Sequence, residues 1–185
     1  TAKWATGLKF PGNNFSNITL TGSAIMAGWV NTEGVTLTTG PTKTIDNNIF
    51  NNWTCGFGTV TVINSNNGND NTTVSGNNIN NITADGNITA ILLGAANKGA
   101  TQGCLGNTIS TLTSTGGTVL GFSGGAIGIT TLSVNNNNIN TLSSSGTTQV
   151  EAIKISAAAT INLQKNKIYG INAQNAACTA FGIEI

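Results

Sequence analysis

The ionisable side chains are the first candidates for chemistry, and this chain of 185 residues has few of them. It contains seven lysines, six acids, no arginine and no histidine. Without histidine, the chain lacks the base of a serine–histidine or cysteine–histidine nucleophile. Carboxylates that act as a catalytic pair must lie within about 5–10 Å of each other. The acids, no two of which share a repeat position, are Glu33, Asp46, Asp70, Asp85, Glu151 and Glu184. We therefore expect no catalytic residues and no enzyme activity.

The composition also argues against other classes of function. Only 7% of the residues are charged and the net charge is +1, so no basic face is available for nucleic acid. No apolar run approaches the roughly 20 residues of a membrane-spanning helix. The cysteines Cys55, Cys104 and Cys178 lack metal-ligand spacing, and we expect them to be small buried apolar residues. No metal or other cofactor is predicted.

A repeat of about 30 residues runs through most of the chain and must position whatever site exists. The segments 75–82 (SGNNINNI), 105–112 (LGNTISTL) and 135–142 (NNNNINTL) align without gaps. The isoleucine column of the repeat consists of Ile49, Ile79, Ile109, Ile139 and Ile168. The asparagine column, two residues earlier in each repeat, consists of Asn47, Asn77, Asn107, Asn137 and Asn166.

Short alternating apolar runs, such as Leu132 with Val134 and Ile153 with Ile155, predict strands. Each repeat contains about three such runs, separated by turns rich in Gly, Asn and Ser. A unit of this size buries its apolar face only when it is stacked on copies of itself, about 4.8 Å apart. The sequence therefore predicts an all-β, single-stranded parallel β-helix (a β-solenoid), with about six coils of roughly 30 residues and three short strands in each coil.

The two polar features of the repeat have structural interpretations. Asparagine tolerates the positive φ of a sharp bend, and stacked amides can hydrogen-bond along the solenoid axis. We expect the asparagine column to be such a ladder, and a row of ligand-binding amides is the alternative. Lys154 and Glu184 occupy the same outward strand position one coil apart, which predicts a surface ion pair.

The first third of the chain fits the repeat poorly. Residues 1–45 are predicted to form irregular coils with an insertion near residues 23–30, and residues 46–185 to form regular coils. Strands are expected at residues 17–20 and 34–37. The aromatic residues concentrated in the first third, from Trp4 to Phe57, fill wide coils or offer sugar-stacking platforms. The similar segments 5–10 and 180–185 indicate a section of a longer solenoid or, alternatively, a unit that stacks end to end.

The segments 160–171 (TINLQKNKIYGI) and 180–185 (AFGIEI) resemble parallel β-helices of the pectate-lyase-like superfamily. More narrowly, residues 45–185 resemble the Asn/Thr-rich repeat regions of secreted surface proteins of Bacteroidota. The resemblance implies a right-handed helix and an extracellular or cell-surface location. Lyases of that superfamily use clustered carboxylates and an Arg or Lys base, and this sequence shows no such cluster.

The leading hypothesis is a non-enzymatic, extracellular structural or adhesin-like segment. Its partners would be glycans or other cell-surface proteins, with end-to-end stacking as a further possibility. The alternative is a noncatalytic part of a carbohydrate-active enzyme. Ice binding is a third hypothesis, weakened because the Thr-x-Thr pattern at residues 59–61 gives way to Ala90 and Leu92 one coil later.

Overall fold

The computed structural model describes residues 8–31, 42–65, 69–94 and 96–185, and shows a parallel β-solenoid. The chain winds through three sheets, and each sheet contains six strands from successive coils. Every strand pairs in parallel with its equivalent in the neighbouring coil. The predicted fold class, with three strands per coil, is therefore confirmed. Right-handedness remains an expectation from the resemblance.

The strands are numbered in chain order, and each coil contributes one strand to sheet 1, then sheet 2, then sheet 3. Coils 1 to 3 contain β1 (Leu8–Pro11), β2 (Asn14–Leu20), β3 (Met26–Val30), β4 (Lys43–Asp46), β5 (Ile49–Cys55), β6 (Val60–Ser65), β7 (Asn69–Ser75), β8 (Asn78–Ala84) and β9 (Ile88–Leu93). Coils 4 to 6 contain β10 (Ala96–Leu105), β11 (Thr108–Ser114), β12 (Val119–Gly124), β13 (Ile129–Asn135), β14 (Asn138–Ser144), β15 (Gln149–Ile155), β16 (Thr160–Gln164), β17 (Lys167–Ala173) and β18 (Thr179–Glu184).

The core is a set of apolar columns that run along the solenoid axis. In sheet 2, Ile79 pairs with Ile109 and Ile109 with Ile139, and all three are fully buried. Sheet 3 adds a matching column that includes Ile91 and Phe122. Because each strand lies between two equivalents, its inward side chains are covered from both sides, which is the burial that one repeat cannot achieve alone.

A two-residue corner joins sheet 1 to sheet 2 in every coil. The first corner residue has a positive φ, between 55° and 67°. Asparagine and glycine tolerate this region because their steric penalty there is small. The first corner residues are Gly12, Asn47, Gly76, Gly106, Asn136 and Lys165. The second corner residue is an asparagine in all six coils.

A second column of positive φ explains the spacing of the isoleucine repeat. Inward residues in a regular strand are two apart, whereas Ile79 and Ile82 are three apart and both fully buried. Asn81, with a φ of 55°, lies between them and adds one residue to the outward side. Equivalent kinks occur at Asn17, Asn52, Thr111, Thr141 and Gly170. Sheet 2 therefore has an irregular alternation that every coil reproduces.

The described residues of the first third contribute strands to the same three sheets as the later coils. The expected strand at 17–20 lies within β2, and the proposed boundary at residue 45 falls inside β4. Phe15 stacks on Phe50, with ring centroids 5.3 Å apart, and Phe50 contacts Trp53 edge-on. These rings fill the interior of coils 1 and 2. The expected strand at 34–37, together with Glu33 and Trp4, lies outside the described residues.

Candidate functional site

The asparagines of the second corner position form a continuous hydrogen-bonded ladder. In each step, the backbone N–H and the Nδ2 group both donate to the Oδ1 atom of the next asparagine. From Asn77 to Asn107 both distances are 3.0 Å, and from Asn107 to Asn137 they are 2.9 and 3.1 Å. The Nδ2 group also donates back to a carbonyl of the preceding coil. The ladder consists of Asn13, Asn48, Asn77, Asn107, Asn137 and Asn166.

In coil 2, the members of the asparagine column and of the isoleucine column lie one residue later than predicted. Asn48, not Asn47, donates to Asn77, and Phe50, not Ile49, pairs with Ile79. The corner requires its positive-φ residue first, and Asn47 occupies that place with a φ of 55°. Ile49 is consequently exposed on the outer side. The residue types alone could not show which of the two adjacent asparagines belongs to the ladder. Nor could they show which of the two apolar residues that follow belongs to the core column.

The geometry of the ladder fits a structural role. The four interior asparagines, from Asn48 to Asn137, are almost completely buried, and each amide bonds to the coils on both sides. Buried amides must be paired, because an unpaired one costs about 1–3 kcal/mol. Since these amides are enclosed and already paired, no face of them is open to a ligand. The ladder joins successive coils at their sharpest bend.

Ionisable groups meet at the boundary between coils 5 and 6. Lys154 Nζ lies 2.9 Å from Glu184 Oε2, as the sequence analysis expected, and 3.0 Å from Glu151 Oε1, which it did not. The Glu151 side chain is completely buried, and its Oε2 atom has no hydrogen-bond partner among the described residues. Glu151 pairs in register with Phe181, not with Glu184. The lysine therefore brings together two acids that belong to different columns.

The contacts within this cluster shift the pKa values of Glu151, Lys154 and Glu184. Burial raises the pKa of Glu151, and the nearby Glu184 carboxyl raises that pKa further. The hydrogen bond from Lys154 lowers the pKa of Glu184, and the same bond raises the pKa of Lys154.

The geometry of this cluster suits a structural link between adjacent coils better than it suits catalysis. A single lysine ammonium bonds to both carboxyl groups, 3.0 Å from Glu151 and 2.9 Å from Glu184. The Glu151 side chain is also enclosed, so a substrate could not reach it. What the arrangement does is link β15 to β18 through a charge-assisted hydrogen bond.

The remaining acids of the described chain do not assemble. Asp85 accepts a hydrogen bond from Thr115 Oγ1 at 2.7 Å, and Asp46 accepts one from Asn47 Nδ2 at 3.2 Å. Across residues 8–31, 42–65, 69–94 and 96–185, no three metal-binding side chains group together. Glu33 and the side chain of Asp70 lie outside this description.

The three cysteines are free thiols, of which Cys55 and Cys104 are buried. Burial raises the pKa of Cys104 to about 12, so its thiol stays protonated and is a poor nucleophile. Its Sγ atom lies 3.4 Å from Asn107 Nδ2, within the asparagine ladder. Cys104 therefore contributes to packing, as the sequence analysis expected of the cysteines.

The outer face of sheet 2 carries a regular column of hydroxyl side chains. The register stacks the threonines Thr19, Thr54, Thr83 and Thr113 in one column, which continues through Ser143. Apart from the coil 6 strand, the strands of this sheet contain no acid and no lysine. This threonine column is not apparent from the sequence, because its members lie two residues beyond a kink.

Hydrogen bonds between coils hold the outer side chains of sheet 2 in place. Asn81 Nδ2 donates to Asn52 Oδ1 at 2.7 Å, and Asn52 donates in turn to Asn17 at 3.0 Å. In the adjacent column, Ser110 donates to Asn80 at 2.9 Å. Each amide uses one N–H in this way and keeps a second N–H and a lone pair for another partner. The "sheet 2 face" denotes this outer surface of β2, β5, β8, β11 and β14.

One inward column of sheet 1 is polar in coils 2 to 4 and begins with Leu8 in coil 1. Lys43, Thr72 and Gln102 are paired in register and buried, and the column continues with Leu132 and Ile161. The Gln102 amide is completely buried, and neither of its polar atoms has a hydrogen-bond partner among the described residues. This is an energetic cost, since an unpaired buried amide loses its hydration without compensation.

The aromatic residues of the described chain differ in exposure. Phe50, Trp53 and Trp29 are buried, so they fill the core of the first coils. Phe57 is 78% exposed, and Tyr169 in β17 is half exposed with Lys167 Nζ 4.9 Å from its ring centroid. Only the exposed rings could stack on a sugar.

Comparison with known proteins finds no matching family, no matching curated protein and no matching solved structure. Among the described residues, no helix is long and apolar enough to cross a membrane.

Proposed function

We propose that the chain is a non-enzymatic structural or adhesin-like segment that contacts uncharged glycans through its sheet 2 face. The observation that carries this proposal is the unbroken column from Thr19 to Ser143 beside columns of cross-linked amides. The extracellular location is part of the proposal and derives from the resemblance to secreted surface proteins. Other surface proteins are a second class of partner for the same face.

The chemistry of the sheet 2 face matches a neutral polymer. A polysaccharide presents repeated hydroxyl groups, and the face presents repeated amides and hydroxyls about 4.8 Å apart. Because hydrogen bonds between coils already order the side chains, less conformational entropy is lost on binding. Individual contacts would be weak, and many coils acting together would supply the affinity.

Binding to insoluble cellulose and chitin particles tests the proposal. The variant Thr54→Val/Thr83→Val removes two hydroxyls from the sheet 2 face while keeping the shape of the side chains. Its matched control is Thr44→Val/Thr73→Val, which makes the same change on the outer side of sheet 1. Two lost hydrogen bonds of about 1 kcal/mol each predict at least tenfold weaker binding for the first variant only. Equal binding by both variants would remove the sheet 2 face from the proposal.

Ice binding is a second candidate, which the same threonine column favours. A flat surface with regularly spaced hydroxyls can order water in a lattice, and Thr19, Thr54 and Thr83 are all exposed. The test is inhibition of ice recrystallisation by the chain and by the two double variants above. Activity that is lost in Thr54→Val/Thr83→Val would favour ice over glycans, whereas no activity in the unmodified chain eliminates this candidate.

A noncatalytic part of a carbohydrate-active enzyme remains the alternative context for the segment. The glycan-binding test does not distinguish it from an adhesin, because both would bind polysaccharide. Release of soluble sugars from the same particles, measured after long incubation, checks the non-enzymatic part of the proposal. Turnover by residues 1–185 alone would overturn it.

A further inference from the structure

A second row of asparagine side chains runs along the solenoid and, unlike the buried ladder, faces solvent. It consists of Asn17, Asn52 and Asn81, which occupy the positive-φ kinks of β2, β5 and β8 and are exposed. Asn81 Nδ2 donates to Asn52 Oδ1 at 2.7 Å, and Asn52 Nδ2 donates to Asn17 Oδ1 at 3.0 Å. We call these three residues the outer amide ladder.

The kink places a second amide beside the ladder in coils 2 and 3. In coil 2, the core residues Phe50 and Trp53 are three apart, so both residues between them lie on the outer side. Coil 3 repeats this arrangement in register. Each of these two coils therefore presents two adjacent amides, and the four residues are Asn51, Asn52, Asn80 and Asn81. Coils 4 and 5 have threonine at the kink, at Thr111 and Thr141.

The exposed amides retain hydrogen-bonding capacity that the buried ladder lacks. A primary amide has two N–H donors and two acceptor lone pairs. Asn52 uses one donor on Asn17 and one lone pair on Asn81, so one donor and one lone pair remain. The bonds along the ladder hold the amide in place before any ligand arrives, so little side-chain entropy is lost when a ligand uses the remaining groups.

A secondary amide is the ligand group that matches this pattern. Its planar trans geometry fixes the N–H and the C=O on opposite sides, as in a peptide bond. The acetamido group of an N-acetylated sugar can therefore accept from one of these asparagines and donate to another. Its methyl group can contact the γ-methyl groups of Thr54 and Thr83, which are the next outward residues after Asn52 and Asn81 and are exposed. A sugar hydroxyl offers one rotating O–H and no methyl group, so it gains less from the same surface.

We propose that the sheet 2 face selects polysaccharides of N-acetylated sugars, with the outer amide ladder and its neighbours Asn51 and Asn80 as the acetamido-binding subsite. This inference rests on the proposed function, because it assigns the ligand of the same face. The strands β2, β5 and β8 contain no acid and no lysine. A neutral acetamido group suits such a surface better than a protonated amino sugar or a uronic acid, each of which needs a charged partner when it is desolvated.

Isothermal titration with two hexasaccharides tests this inference. Hexamers of N-acetylglucosamine and of glucose with the same linkage differ only in the acetamido group, which replaces a hydroxyl. The unmodified chain should bind the N-acetylglucosamine hexamer about tenfold more tightly, the gain expected from one or two additional hydrogen bonds. Equal affinity for the two hexamers would overturn the inference and leave the proposed function standing. Binding to neither hexamer would also overturn it, and the particle assay would then judge the proposed function separately.

The variant Asn52→Thr/Asn81→Thr tests the ladder itself. It places in coils 2 and 3 the residue that coils 4 and 5 have at the same kink, so the fold should persist, as circular dichroism can check. This variant should lose the preference for the N-acetylglucosamine hexamer and bind the glucose hexamer as the unmodified chain does. An equal loss for both hexamers would show a general contact and contradict the acetamido assignment.

The reverse substitution Thr111→Asn extends the outer amide ladder into coil 4. Thr111 has a φ of 54°, close to the 55° of Asn81, so asparagine fits its backbone. This variant should bind the N-acetylglucosamine hexamer about threefold more tightly and the glucose hexamer unchanged. Thr73→Asn, on the outer side of sheet 1, is the matched control and should change neither affinity. A similar gain in the control would mean that any added surface amide suffices, which would overturn the inference.

Discussion

Coils 5 and 6 pair in register in all three sheets but differ in burial. Ile139 and Ile168 pair in register in sheet 2, and only Ile139 is completely buried. Asn137 and Asn166 differ in the same way, since Asn137 has ladder partners on both sides and Asn166 on one. A residue in this fold therefore owes its environment to its position in the stack as well as to its type. The predictions below use this difference.

The largest difference should come from shortening an isoleucine. Ile139→Ala leaves a cavity between two coils and should lower the free energy of unfolding by about 4 kcal/mol. Ile168→Ala, the same change in coil 6, should lower it by about half as much, because that site is partly hydrated already. Urea denaturation of both variants measures the two values. Equal losses would mean that the end coil is covered in solution.

The asparagine ladder should show the second-largest contrast. Asn107→Ala leaves the Val74 carbonyl and the Asn77 N–H buried without partners, and should cost about 3 kcal/mol. Asn166→Ala should cost about 1 kcal/mol, since water can reach its neighbours. Denaturation curves for this pair test whether the ladder is structural. A loss below 1 kcal/mol for Asn107→Ala would contradict that role.

Replacing an unsatisfied core residue should stabilise the protein. Gln102 lies next to Leu132 in one inward column of sheet 1, and its buried amide has no partner. Gln102→Leu should raise the free energy of unfolding by about 2 kcal/mol, because it removes an uncompensated desolvation cost. Gln102→Asn, which keeps the amide, serves as the control and should not stabilise. An unchanged midpoint for Gln102→Leu would show that the amide is satisfied in solution.

The smallest predicted effect is a dependence on pH at the junction of coils 5 and 6. Because the pKa of Glu151 is raised on folding, its contribution to stability is lost as the pH rises above the ordinary value of 4.5. Because the pKa of Glu184 is lowered, its contribution is lost as the pH falls below 4.5. The cluster should therefore stabilise the fold most near pH 4.5.

Glu151→Gln isolates the first of these contributions. The amide mimics the protonated acid, so this variant should be more stable than the unmodified chain at pH 7 and similar to it near pH 4. Thermal melting at both pH values measures the change. Glu184→Gln serves as the control, because it removes the charge that holds Lys154 and should not stabilise at pH 7. A Glu151→Gln variant that is less stable at pH 7 would mean that the ionised form is the favoured one.

Much of the architecture could be predicted because the repeat is visible in the sequence. The isoleucines from Ile79 to Ile168 fix the period, and the period requires stacked coils. The ladder was predictable as a column, but its residue in coil 2 was not. Either Asn47 or Asn48 suits a corner, and only the shape of the two-residue bend selects Asn48.

The candidate surfaces were harder to find because they depend on register. The column from Thr19 to Thr113 follows a positive-φ kink that no local pattern of alternation reveals. Glu151 and Glu184 are 33 residues apart in the sequence and in different columns. A flexible lysine side chain between them makes the contact, and spacing along the chain cannot report it.

The sequence by itself determined the class of fold, the number of coils and the absence of charge from most of sheet 2, because these follow from period and composition. Only the tertiary structure decided which asparagines bond, where the kinks turn threonines outward, and how two acids share one lysine. The physical reason is that these features arise from contacts between coils. Neighbours about 30 residues apart along the chain become neighbours about 4.8 Å apart along the axis.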